Sequence, residues 1–75
     1  MPPMNPSPEQ SALTADLVGL DHRAHEQLGP DTPEWKEVMG VLVNAGNVGV
    51  LSNQVPQGRL MFQQAEQTYL QLFRN

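Results

Sequence analysis

Apolar residues recur along this chain in three stretches of helical period, and prolines and glycines punctuate the gaps between them. The first stretch sets Leu13, Leu17, Leu20, Ala24 and Leu28 on one narrow face, the spacing of a single amphipathic stripe. Ser7-Pro8-Glu9-Gln10 opens it. Ser7 suits the N-cap, Pro8 suits the first helical position, where its missing N–H costs nothing, and Gln10 suits the third, closing a capping box. Leu28-Gly29-Pro30 ends it: Gly29 fits a left-handed residue past the last turn, and Pro30 forbids continuation.

Asp31-Thr32-Pro33-Glu34 repeats the start signal, with Thr32 or Asp31 as cap, Pro33 at the first position and Glu34 complementing the helix dipole. The second stretch, Trp35 to Asn53, is the most apolar in the chain. Trp35, Val38, Met39, Leu42, Ala45, Gly46, Gly49 and Val50 share a face that Val41, Val43 and Val48 widen. A helix this apolar needs cover on two sides, which makes it the middle element of a bundle. Its first half is bulky and its second half small. Gly40, Gly46 and Gly49 each cost about 0.8–1 kcal/mol against alanine in a helix interior. Two readings account for them. Either the missing Cβ atoms let a neighbouring helix approach closely, or the helix breaks near Asn44–Asn47 and Val48–Leu51 runs extended. We take the continuous helix, with room for a kink.

Val55-Pro56 forces an extended residue before the proline and sets a turn at Ser52–Val55. From Pro56 to Phe73 the third stretch gathers Met61, Phe62, Ala65, Thr68, Tyr69, Leu72 and Phe73 on one face. The fold expected is all-α, a small antiparallel three-helix bundle with helices at about 8–28, 33–53 and 56–73, completed by oligomerisation. Met1 to Pro6, with three prolines and no periodicity, reads as a flexible arm; residues 7–75 read as one helical domain. Antiparallel pairing predicts that the Gly46/Gly49 half of the middle helix faces the Met61/Phe62 end of the last helix, with Trp35 near Tyr69 and Phe73 and with Leu28 close by.

Size sharpens the expectation of oligomers. A 75-residue chain buries only about 60–65% of its unfolded surface. With no cysteine, neither a disulfide nor a thiolate metal site can staple it. The net charge of −4 is uneven: residues 1–37 carry −5 and residues 38–75 carry +1, with no charge at all between Glu37 and Arg59. Four scattered bases do not neutralise a phosphate backbone, so nucleic acid is not an expected partner. The uncharged run holds Asn44, Asn47, Ser52, Asn53, Gln54 and Gln57, too polar for a membrane span. Met1 to Ser7 lacks the basic and apolar regions of a signal peptide, and the expected location is the cytoplasm.

Candidate chemistry is sparse. His22 and His25 lie three apart within Asp21-His22-Arg23-Ala24-His25-Glu26, and Asp21–His25 and His22–Glu26 lie four apart. Two imidazoles with carboxylates suit Zn²⁺ or Ni²⁺, most readily across a dimer. Both histidines fall opposite the leucine stripe, however, and an exposed helix face laced by i,i+4 pairs explains them as well. No hydroxyl sits in a nucleophile elbow or beside an evident base, so the chain is not expected to be an enzyme or to hold a cofactor.

The third helix offers the better surface. Leu60 and Leu70 fall away from its core stripe together with Gln63 and Gln67, and Val18, Val48 and Leu51 are similarly placed elsewhere. An apolar row flanked by uncharged amides has the low charge density of an interface core, although single exposed leucines are also ordinary. The expected role is a non-catalytic protein-interaction module, a homo-oligomer or an acidic adaptor or inhibitor. It would bind a protein partner or itself through Val48, Leu51, Leu60, Gln63, Gln67 and Leu70.

Pro30-Asp31-Thr32-Pro33, with a helix on each side, resembles the Pro-x-x-Pro turn of type III secretion needle subunits, and the terminal Phe73-Arg74-Asn75 is similar to some needle tails. The resemblance covers these two short motifs. It implies a helical hairpin that polymerises as the structural subunit of a filament or secretion apparatus. Pro56 interrupts what would be the unbroken second helix of such a hairpin, and the basic residues of that family are absent there.

Overall fold

Helix α1 (Pro8–Leu28) starts where its capping chemistry dictates. The Gln10 backbone N–H donates to Ser7 Oγ at 3.1 Å, and the Ser7 N–H donates to Gln10 Oε1 at 2.9 Å, so the capping box is complete. The structure is a computed structural model that describes residues 7–74. The proline-rich arm and Asn75 lie outside the described residues. Gly29 ends α1 with φ 89° and ψ 137°, a conformation left to glycine, but not the left-handed helical residue expected there. Asp31, in the same turn, also has a positive φ, 65°, which aspartate tolerates better than most residues. Thr32 then caps helix α2 (Pro33–Gly46), accepting from the Trp35 N–H at 3.1 Å while its hydroxyl donates to the Gly29 carbonyl at 2.8 Å. One threonine thus fixes both sides of the turn.

The middle helix does not run as an α-helix to Asn53. After Gly46 it widens into a π turn over Asn47–Leu51, in which the Ser52 N–H donates to the Asn47 carbonyl at 3.0 Å. It neither breaks at Asn44–Asn47 nor becomes extended. Asn53 closes the segment at φ 53°, a conformation asparagine tolerates better than most residues. Helix α3 (Val55–Arg74) follows, one residue earlier than Pro56 would suggest. Among the described residues there is no strand.

The core is one cluster drawn from all three helices: Leu13, Leu17, Leu20 and Ala24; Val38, Leu42 and Ala45; Phe62, Ala65 and Tyr69. Trp35, Met39, Val50, Met61 and Leu72 pack half-buried around it. Phe73 does not join this core. It is half exposed and stacks on Tyr69 with ring centroids 5.7 Å apart. The molecule is slender, 48 Å long and 19 by 15 Å across.

The small half of the middle helix does admit a close neighbour. Gly49 meets Gly58, one turn before Met61 and Phe62 on α3. A Cβ on Gly58 would lie 2.8 Å from the Gly49 nitrogen and 3.0 Å from the Ala45 carbonyl oxygen. A Cβ on Gly49 would collide with Leu13 Cδ2 and lie 3.0 Å from Gly58 Cα. Backbone therefore packs on backbone, with the fully buried Leu13 as the lid over the contact. The Gln10 side-chain amide donates to the Val50 carbonyl at 3.1 Å, so the cap of α1 also ties down the π turn.

Candidate interface on helix α3

Two ion pairs span α1 and α3. Arg59 pairs with Asp16, and Arg23 lies 3.5 Å from Glu66. Each pair sits seven residues from the next on both helices, so two turns of α1 advance in step with two turns of α3. Arg23 also approaches the Tyr69 ring at 5.8 Å, and Arg59 the Phe62 ring at 5.8 Å. These contacts place the flank of α3 that carries Arg59, Glu66 and Tyr69 beside α1. The i,i+4 lacing expected along α1 is not what the charges do: among the described residues, both ion pairs run between helices.

With that flank and the core stripe fixed, the rest of α3 faces outward. Leu60 is 60% exposed and Leu70 37%. Gln63 and Gln67 are exposed between them. Gln67, Leu70, Gln71 and Arg74 line a shallow open hollow on this face. The four α3 residues expected at a partner surface thus do share one outward strip. Of the two from the middle helix, Leu51 is 79% exposed on the π turn. Val48 is half-buried, and its carbonyl accepts from the Gln54 N–H at 3.1 Å, which makes it part of the turn rather than open surface. Val18 is 50% exposed, and Val43, which the sequence reading assigned to the widened core face, is 54% exposed.

The histidines stand where their spacing put them, exposed on α1. Among the described residues, no group of three or more His, Cys, Asp or Glu is placed to hold a metal ion. A second cleft lies at the same end of the molecule, where the C-terminal turns of α3 meet the end of α1, lined by Gln27, Leu28, Glu34, Leu72 and Phe73. It brings Leu28 and Phe73 together, as expected, beside the start of α2. Nearby in sequence, the Trp35 indole Nε1 is buried without a hydrogen-bond partner. Among the described residues, no helix is long and apolar enough to cross a membrane.

Sequence reasoning missed Gly58 and the interhelical ion pairs. A signal for the pairs was present. Asp16 and Arg23 on α1, and Arg59 and Glu66 on α3, are opposite charges at the same seven-residue interval. No family model, curated protein or solved structure matches the chain.

Proposed function

We propose that the chain is a non-catalytic protein-interaction module that docks a protein partner, or another copy of itself, through the outward face of α3. The observation carrying this reading is the strip itself. Leu60 and Leu70 stand exposed with only the amides of Gln63 and Gln67 between them, while Arg59 and Glu66 beside the strip are engaged with α1. A solvated helix face ordinarily carries charge at such positions, and an interface core sheds it. Leu51 extends the apolar surface onto the π turn. The bundle presenting this face is an antiparallel up-down-up arrangement in the cytoplasm. The equal steps of the two ion pairs and the short turns at Gly29–Thr32 and Ser52–Gln54 support the arrangement.

A photo-crosslinking residue placed at Gln63 in cells tests the reading, with the same residue at His22 as control. The Gln63 position is expected to give discrete adducts that vanish when Leu60 and Leu70 are both replaced by Glu. No adducts, or equal adducts from both positions, would refute it. The filament-subunit alternative draws on the Pro30-Asp31-Thr32-Pro33 turn, which does join α1 to α2. Electron micrographs of concentrated protein would show regular polymers if that role is correct and none if it is not.

A further inference from the structure

Accepting that the outward face of α3 is a docking surface, we infer that its occupant is a second copy of α3, lying antiparallel and related by a twofold axis that passes between Gln63 and Gln67. The inference starts from spacing. Leu60, Gln63, Gln67, Leu70 and Arg74 follow one another at intervals of three, four, three and four residues. That is the spacing of a coiled-coil seam, in which each side chain enters a hole formed by four residues of the facing helix.

Chemistry then selects the occupant. Read from either end, the central four positions give the same order: leucine, glutamine, glutamine, leucine. In an antiparallel pair centred on residue 65, Leu60 faces the second copy's Leu70, and Gln63 faces its Gln67. Both layers are matched in kind, and each occurs twice by symmetry, as an isologous interface requires. The facing amides can donate to and accept from one another, a buried polar pair of the sort that fixes register in coiled coils.

The shape of the strip fits this packing. The residues lining the hollow on α3, Gln67, Leu70, Gln71 and Arg74, stand at positions i, i+3, i+4 and i+7, the four corners of a knob's hole. It is centred near residue 70, where the antiparallel register delivers the Leu60 side chain of the second copy. Each copy would contribute one leucine and one hole.

The flanks agree. On one side the antiparallel register sets Gln57 opposite Gln71 and Gln64 opposite its own symmetry mate, all uncharged. On the other it sets Arg59 opposite Phe73, which is half exposed in the single chain. Glu66 meets its own mate on the rim of the seam, a like-charge contact that the Arg23 3.5 Å from each offsets in part. A parallel, in-register pair would instead stack Arg74 on Arg74 in the seam, a like-charge contact. The segment from Leu60 to Arg74 is only about 21 Å long at 1.5 Å per residue, so the interface is at the small, exchanging end of the range.

The chain has no native cysteine, so engineered thiols report the register without background. Gln63→Cys and Gln67→Cys proteins are prepared separately, checked for unchanged helicity, then mixed at high concentration and oxidised with diamide. In the antiparallel register residue 63 lies opposite residue 67 of the other copy, while two residues 63 are offset by about 6 Å along the axis, a poor disulfide geometry. The mixed 63–67 disulfide is therefore expected to dominate both homodisulfides, and to fall to the level of random collision when both proteins also carry Leu60→Glu. Dominant homodisulfides, or no disulfide above that level, would overturn the second-copy inference. Gln63 photo-adducts to a different protein would still leave the docking face standing; absence of both products would remove both readings.

Discussion

Replacing Gly58 by alanine should destabilise the protein although alanine is the better helix former. The added Cβ meets backbone on the opposite side, 2.8 Å from the Gly49 nitrogen and 3.0 Å from the Ala45 carbonyl oxygen. A side chain could turn aside; these atoms can yield only if α3 parts from the π turn. Overpacking of this kind costs about 1–3 kcal/mol, and rigid backbone neighbours favour the upper half of that range. Helix propensity offsets it by up to about 0.8–1 kcal/mol. Gly40→Ala and Gly19→Ala isolate the two effects, because a Cβ at either position meets nothing within 4 Å. They should stabilise by the propensity gain alone, near 0.8–1 kcal/mol. The difference between Gly58→Ala and Gly40→Ala then reads the close contact directly, at about 1–3 kcal/mol or more. In a domain of this size that corresponds to a melting-temperature gap of roughly 5–20 °C. Urea and thermal unfolding followed by circular dichroism, at one protein concentration for all variants, measures it. A Gly58→Ala protein as stable as Gly40→Ala would refute the backbone-to-backbone contact.

Other positions give sharp expectations. Leu13 is fully buried over the glycine contact, and Leu13→Ala should cost about 2–5 kcal/mol, enough to leave a chain this small largely unfolded by circular dichroism. Ser7→Ala removes one half of the capping box and should lower unfolding free energy by about 1 kcal/mol. Glu66→Gln should change stability by no more than about 0.5 kcal/mol, because the Arg23–Glu66 pair is well exposed; a larger loss in denaturation at 0.15 M salt would show the pair to be structural. Titrating Ni²⁺ or Zn²⁺ into the protein should give no binding heat, since the exposed His22 and His25 have no third ligand placed with them among the described residues.

The helix starts were legible because they rest on local chemistry. Ser7-Pro8-Glu9-Gln10 and Thr32-Pro33 each carry their hydrogen bonds within four residues, and no tertiary contact is needed to place them. The inward positions of α1 were legible from period alone, since Leu13, Leu17, Leu20 and Ala24 all lie buried. The end of the middle helix was not. The π turn depends on partners far along the chain, the Gln10 amide on the Val50 carbonyl and Gly58 against Gly49, and a local pattern cannot report them. The glycines announced a close approach without naming what approached. On α3 the outward strip could be read from spacing, since its register follows from which residues are buried. Phe73 was misjudged for the opposite reason: it lies one turn beyond Tyr69, where the core has run out and stacking replaces burial.

Sedimentation equilibrium from about ten micromolar to a millimolar, on the native chain and on the protein carrying both Leu60→Glu and Leu70→Glu, bears most directly on the α3 surface. Weak self-association predicts a native mass that climbs with concentration from one chain of 8.3 kDa toward two, and a variant that keeps its helicity while staying at one. A native chain that remains single at a millimolar would contradict the second-copy inference, and a variant that unfolds because those leucines belong to the core would contradict the docking face itself.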